Sequence, residues 1–93
     1  MRKAHVYIIT NKHKTTFYIG VTSNISRRIH EHKNKSVPGF SSKYNLDKLV
    51  YAEEFGSIVE AIQREKQLKN WHREWKINLI KNTNPDLSEL DLV

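Results

Sequence analysis

Residues 17–32 read "FYIGVTSNISRRIHEH". An aromatic and β-branched run passes through Gly20 into Thr22-Ser23-Asn24, three residue types that favour a helix N-cap, after which Ile25 and Ile29 recur at i, i+4. This pattern predicts a strand that gives way almost at once to a helix running to about Lys33. Arg28 and His32 are also four apart, so they share a side of that helix beside its apolar stripe. They should emerge close to the strand that carries Tyr18.

Working outward, "AHVYIIT" at 4–10 and "TFYIGV" at 16–21 are strand-like runs joined by the short polar "NKHKT", which predicts a β-hairpin. If Val6 and Ile8 share a buried face with Phe17, Ile19 and Val21, alternation with period two sends Tyr7 and Tyr18 together to the other face. Downstream, "NKSVPGFSSKYN" at 34–45 reads as a mobile basic loop around a Pro-Gly turn. "LDKLVYAEEF" at 46–55 predicts a third strand with Leu49, Tyr51 and Phe55 on one side. Gly56 ends it, and Ser57 with Glu60 has the spacing of a capping box. Ile58, Ala61, Ile62, Leu68 and Trp71 then follow at helical spacing. Trp75, Ile77, Leu79 and Ile80 continue that helix or form a second, ended by "NTNP" at 82–85, with core or rim packing expected for both tryptophans. The expected order is β-β-α-β-α-α.

The 93 residues predict one domain, 1–93, with an acidic tail at about 86–93 that packs only partly. No cysteine is present, which removes disulfides, thiol nucleophiles and Cys-type zinc sites and makes the cytoplasm the expected setting. No run approaches the ~20 apolar residues of a membrane span, and the N-terminus lacks a secretory apolar run, so a soluble, unprocessed protein is expected. The formal charge is +6, and Asp86, Glu89 and Asp91 lie in a tail without Lys or Arg, so the remainder is more basic still. Basic stretches interleaved with aromatics point to nucleic acid before an anionic membrane.

Glu65 stands out on physical grounds. It follows Ile62, Ala61 and Ile58 by three, four and seven residues and precedes Leu68 by three, which places a carboxylate within the core-facing stripe. Burying an unpaired charge costs several kcal/mol, so Glu65 should meet an arginine, a hydroxyl or a metal ion, or else lie at the stripe's edge paired with Lys69 or Arg28. His30 and His32 do not make a zinc site, because positions i and i+2 of a helix point ~200° apart. Gly20 either ends a strand or lets a phosphate or metal shell approach the sheet.

Val6-Tyr7, then Tyr18-Ile19-Gly20 eleven residues after the first tyrosine, Arg28 ten beyond the second, and "EAIQREKQLK" at 60–69 together resemble the GIY-YIG endonuclease superfamily. The chain looks like its small stand-alone bacterial members, relatives of the nuclease domain in the excision-repair nuclease subunit. The resemblance implies an α/β (α+β) domain with a three-stranded antiparallel sheet flanked by helices. It implies a divalent-metal-dependent endonuclease acting on DNA, with RNA as the other possible polymer, in DNA repair or recombination. Tyr7 and Tyr18 match the motif tyrosines, Arg28 the helix arginine and Glu65 the metal-holding glutamate. His32 falls where relatives have Tyr or His, and Asn84 matches an asparagine of some members. His5-Val6-Tyr7 replaces Gly-Ile-Tyr, Val21 stands where some relatives carry Lys, and no attached DNA-recognition domain is expected.

Phosphodiester hydrolysis needs an activated water, a counter-charge for the phosphoryl group and help for the departing alkoxide. One divalent ion on Glu65, Mg2+ or Mn2+, serves the last two needs together with Arg28. Either tyrosine orients the water, and a tyrosine or His32 takes its proton. Arg27, Lys33, Lys35, Lys43, Arg64, Lys66, Arg73 and Lys76 are candidates for flanking phosphates. Two rival readings are a non-catalytic nucleic-acid-binding module of the same fold and a protein-interaction domain using Trp71, Trp75 and the tail.

Overall fold

A computed structural model describes residues 3–35 and 39–91. Strands β1 (Ala4–Thr10) and β2 (Phe17–Thr22) form the hairpin, followed by helices α1 (Ile25–Lys33) and α2 (Phe40–Lys43), strand β3 (Lys48–Phe55), and helices α3 (Ile58–Lys69) and α4 (Arg73–Thr83). The sheet is antiparallel with order β2-β1-β3. β1 is therefore central, and its residues are buried on both faces, in keeping with a strand that is apolar at nearly every position.

The two faces differ in content. Val6, Ile8, Ile19, Tyr51, Ala61, Leu68 and Ile80 make the larger core, with Phe17, Val21 and Phe55 packed against it. Tyr7, Ile9, Ile29, Leu46 and Leu49 make the smaller one, joined by Tyr18 and Ile25. In the hairpin, Tyr7 pairs with Gly20 and Ile9 with Tyr18, so the two phenols are diagonal neighbours on one face. The turn is held by Asn11, whose side-chain oxygen accepts from the Thr15 N–H at 2.9 Å.

β3 departs from simple alternation. Ile8 pairs with Tyr51 but Ile9 pairs with Leu49, which leaves Val50 as the extra residue of a β-bulge. The bulge changes parity along the strand, so Leu49 joins the Tyr7 face while Tyr51 and Phe55 face the larger core. The expectation of all three on one side is thereby corrected.

Local signals set the helix starts. Asn24 caps α1 by accepting from the Arg27 N–H at 3.1 Å, and Ser57 caps α3 by accepting from the Glu60 N–H at 3.3 Å. A break at Asn70 separates α3 from α4, so the distal apolar residues belong to a second helix. The segment read as a mobile loop contains α2, with Ser41 buried in it, while the Pro38 half of its Pro-Gly turn lies outside the described residues. At the end of α4, the Asn84 amide donates to the Val50 and Ser88 carbonyls at 3.0 and 2.8 Å and accepts from the Ser88 N–H. This ties the tail to β3, and Leu87 is buried beneath it. Among the described residues, no helix is long and apolar enough to cross a membrane.

Candidate active site

β2 is an edge strand, and α1 follows it after only two residues, Ser23 and Asn24. That tight connection brings the inner side of α1 over the face bearing Tyr7 and Tyr18. The rings of Tyr7, Tyr18 and His32 form a triangle, with centroids 6.4 Å apart for the two tyrosines, 5.7 Å for Tyr7 and His32, and 6.0 Å for Tyr18 and His32. The Tyr7 hydroxyl lies 3.0 Å from His32 Nε2, and His32 Nδ1 lies 3.1 Å from Ser41 Oγ. Tyr7 and His32 are buried, whereas Tyr18 is half-buried.

Charges surround the triangle. The Arg28 guanidinium acts electrostatically on the Tyr7 phenol and pairs with Glu31 on its own helix, Nε to Oε1 at 3.3 Å. Its Nε is buried with no aligned hydrogen-bond acceptor. From α3, Glu65 acts electrostatically on Tyr7 and pairs with Lys69 at 3.5 Å, one turn on. Lys69 Nζ in turn sits 5.8 Å from the Tyr18 ring centre. Glu65 thus takes the Lys69 pairing anticipated for an edge position, yet its side chain is only 16% exposed and its charge reaches Tyr7.

Protonation follows from these surroundings. Burial pushes the Tyr7 phenol well above the usual tyrosine range, and the Tyr18 and Glu65 charges add to it while Arg28 opposes. The same burial, helped by Arg28 and opposed by Glu31, holds His32 below its ordinary 6.5. At neutral pH the pair is a protonated phenol against a neutral imidazole. The unfolded chain binds a proton on His32 near 6.5, while the folded chain does so only at lower pH, so stability should fall as pH drops below 6.5. Thermal unfolding followed between pH 7.5 and 5 should show this slope, and His32→Gln should flatten it despite lowering stability throughout.

Two expectations change in this setting. Gly20 was a candidate for substrate approach, but a Cβ built there would lie 2.4 Å from the Tyr7 Cζ and hydroxyl oxygen. The space beside Gly20 is filled by the phenol itself, so the glycine admits the tyrosine and not a phosphate or metal shell. Arg64 was a candidate phosphate ligand, but it is committed elsewhere. It pairs with Glu53 through Nε–Oε1 at 2.9 Å and NH2–Oε2 at 3.1 Å, bonds Gln67, and lies over Trp71. Burial pushes the Glu53 carboxyl up, but the hydrogen bonds from Arg64 and Tyr51 outweigh it and hold the group low.

The other cations divide. Arg73 donates to the Thr15 carbonyl at 2.6 Å and lies over Phe17, so it braces the hairpin. Lys33 bonds the Asp47 carbonyl at 3.2 Å and pairs with Glu89 of the tail. Lys43 lies over Tyr44, while Arg27, Lys35 and Lys66 are exposed and Lys76 is half-buried. Asn84 is occupied as the clamp at the end of α4. Trp71 packs against the core, whereas Trp75 is 54% exposed and meets Trp71 and His72 edge-on. His30 is exposed and bonded to Asn34, on the opposite side of α1 from the buried His32, as their spacing requires.

Ser41 escapes sequence reasoning. It belongs to a polar segment that gives no signal of burial, and its relation to His32 arises only when α2 folds back against α1. Lys69 was legible as an i, i+4 partner of Glu65, but its place over Tyr18 was not.

The antiparallel β2-β1-β3 sheet with its flanking helices has the architecture of a nuclease-superfamily domain. The sequence pattern of the GIY-YIG catalytic domain family matches residues 3–78, and the chain belongs to that family. It is 36% identical over 84 residues to a UPF0213 protein of Staphylococcus haemolyticus, covering 86% of this chain and 96% of that one. It is 37% identical over 90 residues to a UPF0213 protein of Syntrophus aciditrophicus, covering 92% and 98%. The solution NMR structure of a UPF0213 protein from Bacillus halodurans superimposes with a TM-score of 0.59 at 25% identity, covering 94% of this chain and 92% of that one.

Proposed function

We propose that the protein is a divalent-metal-dependent endonuclease that hydrolyses DNA phosphodiester bonds. The observation that carries this reading is the meeting of Tyr7, Tyr18, Arg28, His32 and Glu65, from three separate stretches of chain, around one ring triangle.

Glu65 fits a single-ion site. It is a hard oxygen donor with part of its surface open to solvent, and its ion-pair partner Lys69 is itself 48% exposed and free to swing aside. Among the described residues no cluster of three His, Cys, Asp or Glu offers a fuller coordination set. That suits Mg2+ or Mn2+, which keep most of their waters and draw on substrate phosphate. When bound, the ion supplies positive charge to the phosphoryl oxygens and the departing oxygen.

The remaining roles belong to the chain. Arg28 faces the non-bridging oxygens with the exposed part of its guanidinium, while its Nε stays beside Glu31. Tyr18, the less buried phenol, orients the attacking water. His32, neutral at neutral pH, is the member of the triangle able to accept a proton, which reaches its Nε2 through the Tyr7 hydroxyl 3.0 Å away. Arg27, Lys35, Lys43 and Lys66 guide the flanking backbone, with binding that weakens steeply as salt rises. Branched, nicked or flapped DNA is the proposed substrate class, in a repair or recombination setting within the cytoplasm.

The test is cleavage of linear, nicked, flapped and four-way DNAs with added Mg2+, Mn2+ or chelator. Wild type should cut only with metal, and Glu65→Ala should cut at least about 100-fold more slowly while still binding DNA. Metal-independent DNA binding without any cleavage would favour the non-catalytic module instead.

A further inference from the structure

Ser41, His32 and Tyr7 form a continuous buried hydrogen-bonded chain, 5%, 4% and 1% exposed respectively. At its far end the Tyr7 phenol meets the Arg28 guanidinium, whose side chain is 34% exposed and opens to the surface. The chain therefore runs from the interior of the fold to the cation proposed to meet phosphate. Its polarity follows from the charge at that end. The positive charge of Arg28 beside the phenol favours oxygen lone pairs on its side and the phenolic hydrogen on the side of His32. His32 Nε2, 3.0 Å away, is that acceptor. The imidazole hydrogen must then sit on Nδ1, where Ser41 Oγ accepts it at 3.1 Å.

We propose that Ser41 is a positioning residue of this site: its hydroxyl accepts from His32 Nδ1–H and so favours that tautomer, which turns the Tyr7 hydrogen inward and leaves the phenol lone pairs on the side of Arg28. With the opposite tautomer Nε2 would donate to the phenol and turn the phenolic hydrogen towards Arg28. The Arg28 charge would then face that hydrogen in place of a lone pair. The role in turnover rests on the nuclease reading above, whereas the polarity of the chain does not. The groups facing His32 are Tyr7 and Tyr18 from the sheet, Arg28 and Glu31 from α1, and Ser41 from α2. Ser41 is the uncharged member among them that contacts Nδ1.

The test is nitrogen-15 NMR of the His32 imidazole at pH 7.5, assigned by loss of its signals in His32→Gln, for wild type, Ser41→Ala and Ser41→Thr. Wild type and Ser41→Thr should show the Nδ1–H tautomer, and Ser41→Ala should shift population toward Nε2–H. Cleavage by Ser41→Ala should fall roughly 10- to 100-fold in kcat with KM little changed, and Ser41→Thr should restore most of it, the scale seen for outer partners of functional histidines. An Nε2–H tautomer in wild type overturns the proposal without any mutant. So does an unchanged tautomer in Ser41→Ala, or unchanged cleavage by that variant where wild type cuts. If the tautomer shifts as stated but wild type cuts no DNA, the polarity of the chain stands and the nuclease reading fails.

Discussion

Arg28→Ala is expected to lower the turnover of DNA cleavage by about 10²–10³-fold while weakening DNA binding only a few-fold. The asymmetry follows from where the guanidinium sits. It is not on the outer surface with Arg27 and Lys35 but half-buried, against the Tyr7 phenol and 3.3 Å from Glu31. A charge in such a place interacts most strongly with negative charge that appears next to it during reaction, and contributes little to the diffuse attraction between protein and backbone. The pH profile should change as well. Arg28 helps hold His32 low and opposes the upward push on Tyr7, so its removal lets both groups rise. The acid limb of the rate profile should then move to higher pH, because His32 binds a proton sooner. Arg28→Lys keeps the charge and should keep the acid limb near its wild-type position, yet it loses the planar fork and should recover only part of the rate. Measured kcat, KM and DNA affinity across pH 5.5–9 decide the matter. Equal losses in turnover and affinity would make Arg28 an ordinary binding cation.

What the sequence reveals about this site depends on how local each relation is. Tyr7 and Tyr18 share a face because alternation along two strands joined by a short turn leaves no other arrangement once Val6, Ile8 and Ile19 are buried. Arg28 and His32 share a helix side because their spacing is four. Glu65 announces itself as a carboxylate between Ala61 and Leu68, both of which are buried. The bulge at Val50 is invisible by comparison, since Leu49, Val50 and Tyr51 are all strand formers and the extra residue shows only against β1. The cations are hard to sort for the same reason. Arg64 and Arg27 are alike in sequence, and only the proximity of Glu53 on β3 turns one into a structural residue. Ser41 depends on two elements meeting across the segment between α1 and α2, which no periodicity encodes. Residues whose roles arise within one strand or one helix are legible, and those that need a third element are not.

Gly20→Ala separates two accounts of the same glycine. If Gly20 keeps a path open for phosphate, an added methyl should leave the fold intact and raise KM. The structure instead puts the Tyr7 ring in that space, with the new Cβ 2.4 Å from two of its atoms and 2.8 Å from a third. A surface tyrosine would swing away at little cost. Tyr7 is 1% exposed and bonded to His32, so its ring moves only by breaking that bond and disturbing Ile9, Ile29 and Leu46 around it. Overpacking of this kind costs about 1–3 kcal/mol, which in a domain of this size lowers Tm by roughly 4–16 °C. Gly20→Ala is therefore expected to be destabilised and, at temperatures where it is still folded, to cut DNA at least about 10-fold more slowly, because a displaced phenol no longer positions Arg28. The double variant Gly20→Ala with Tyr7→Ala provides the decisive comparison. Each single change should lower Tm, but the methyl should add little further loss once the ring is gone, giving a large coupling in a double-mutant cycle, while cleavage stays abolished. Additive losses in Tm would mean that the methyl and the phenol do not compete for the same space, and would return Gly20 to the role of a gap for substrate.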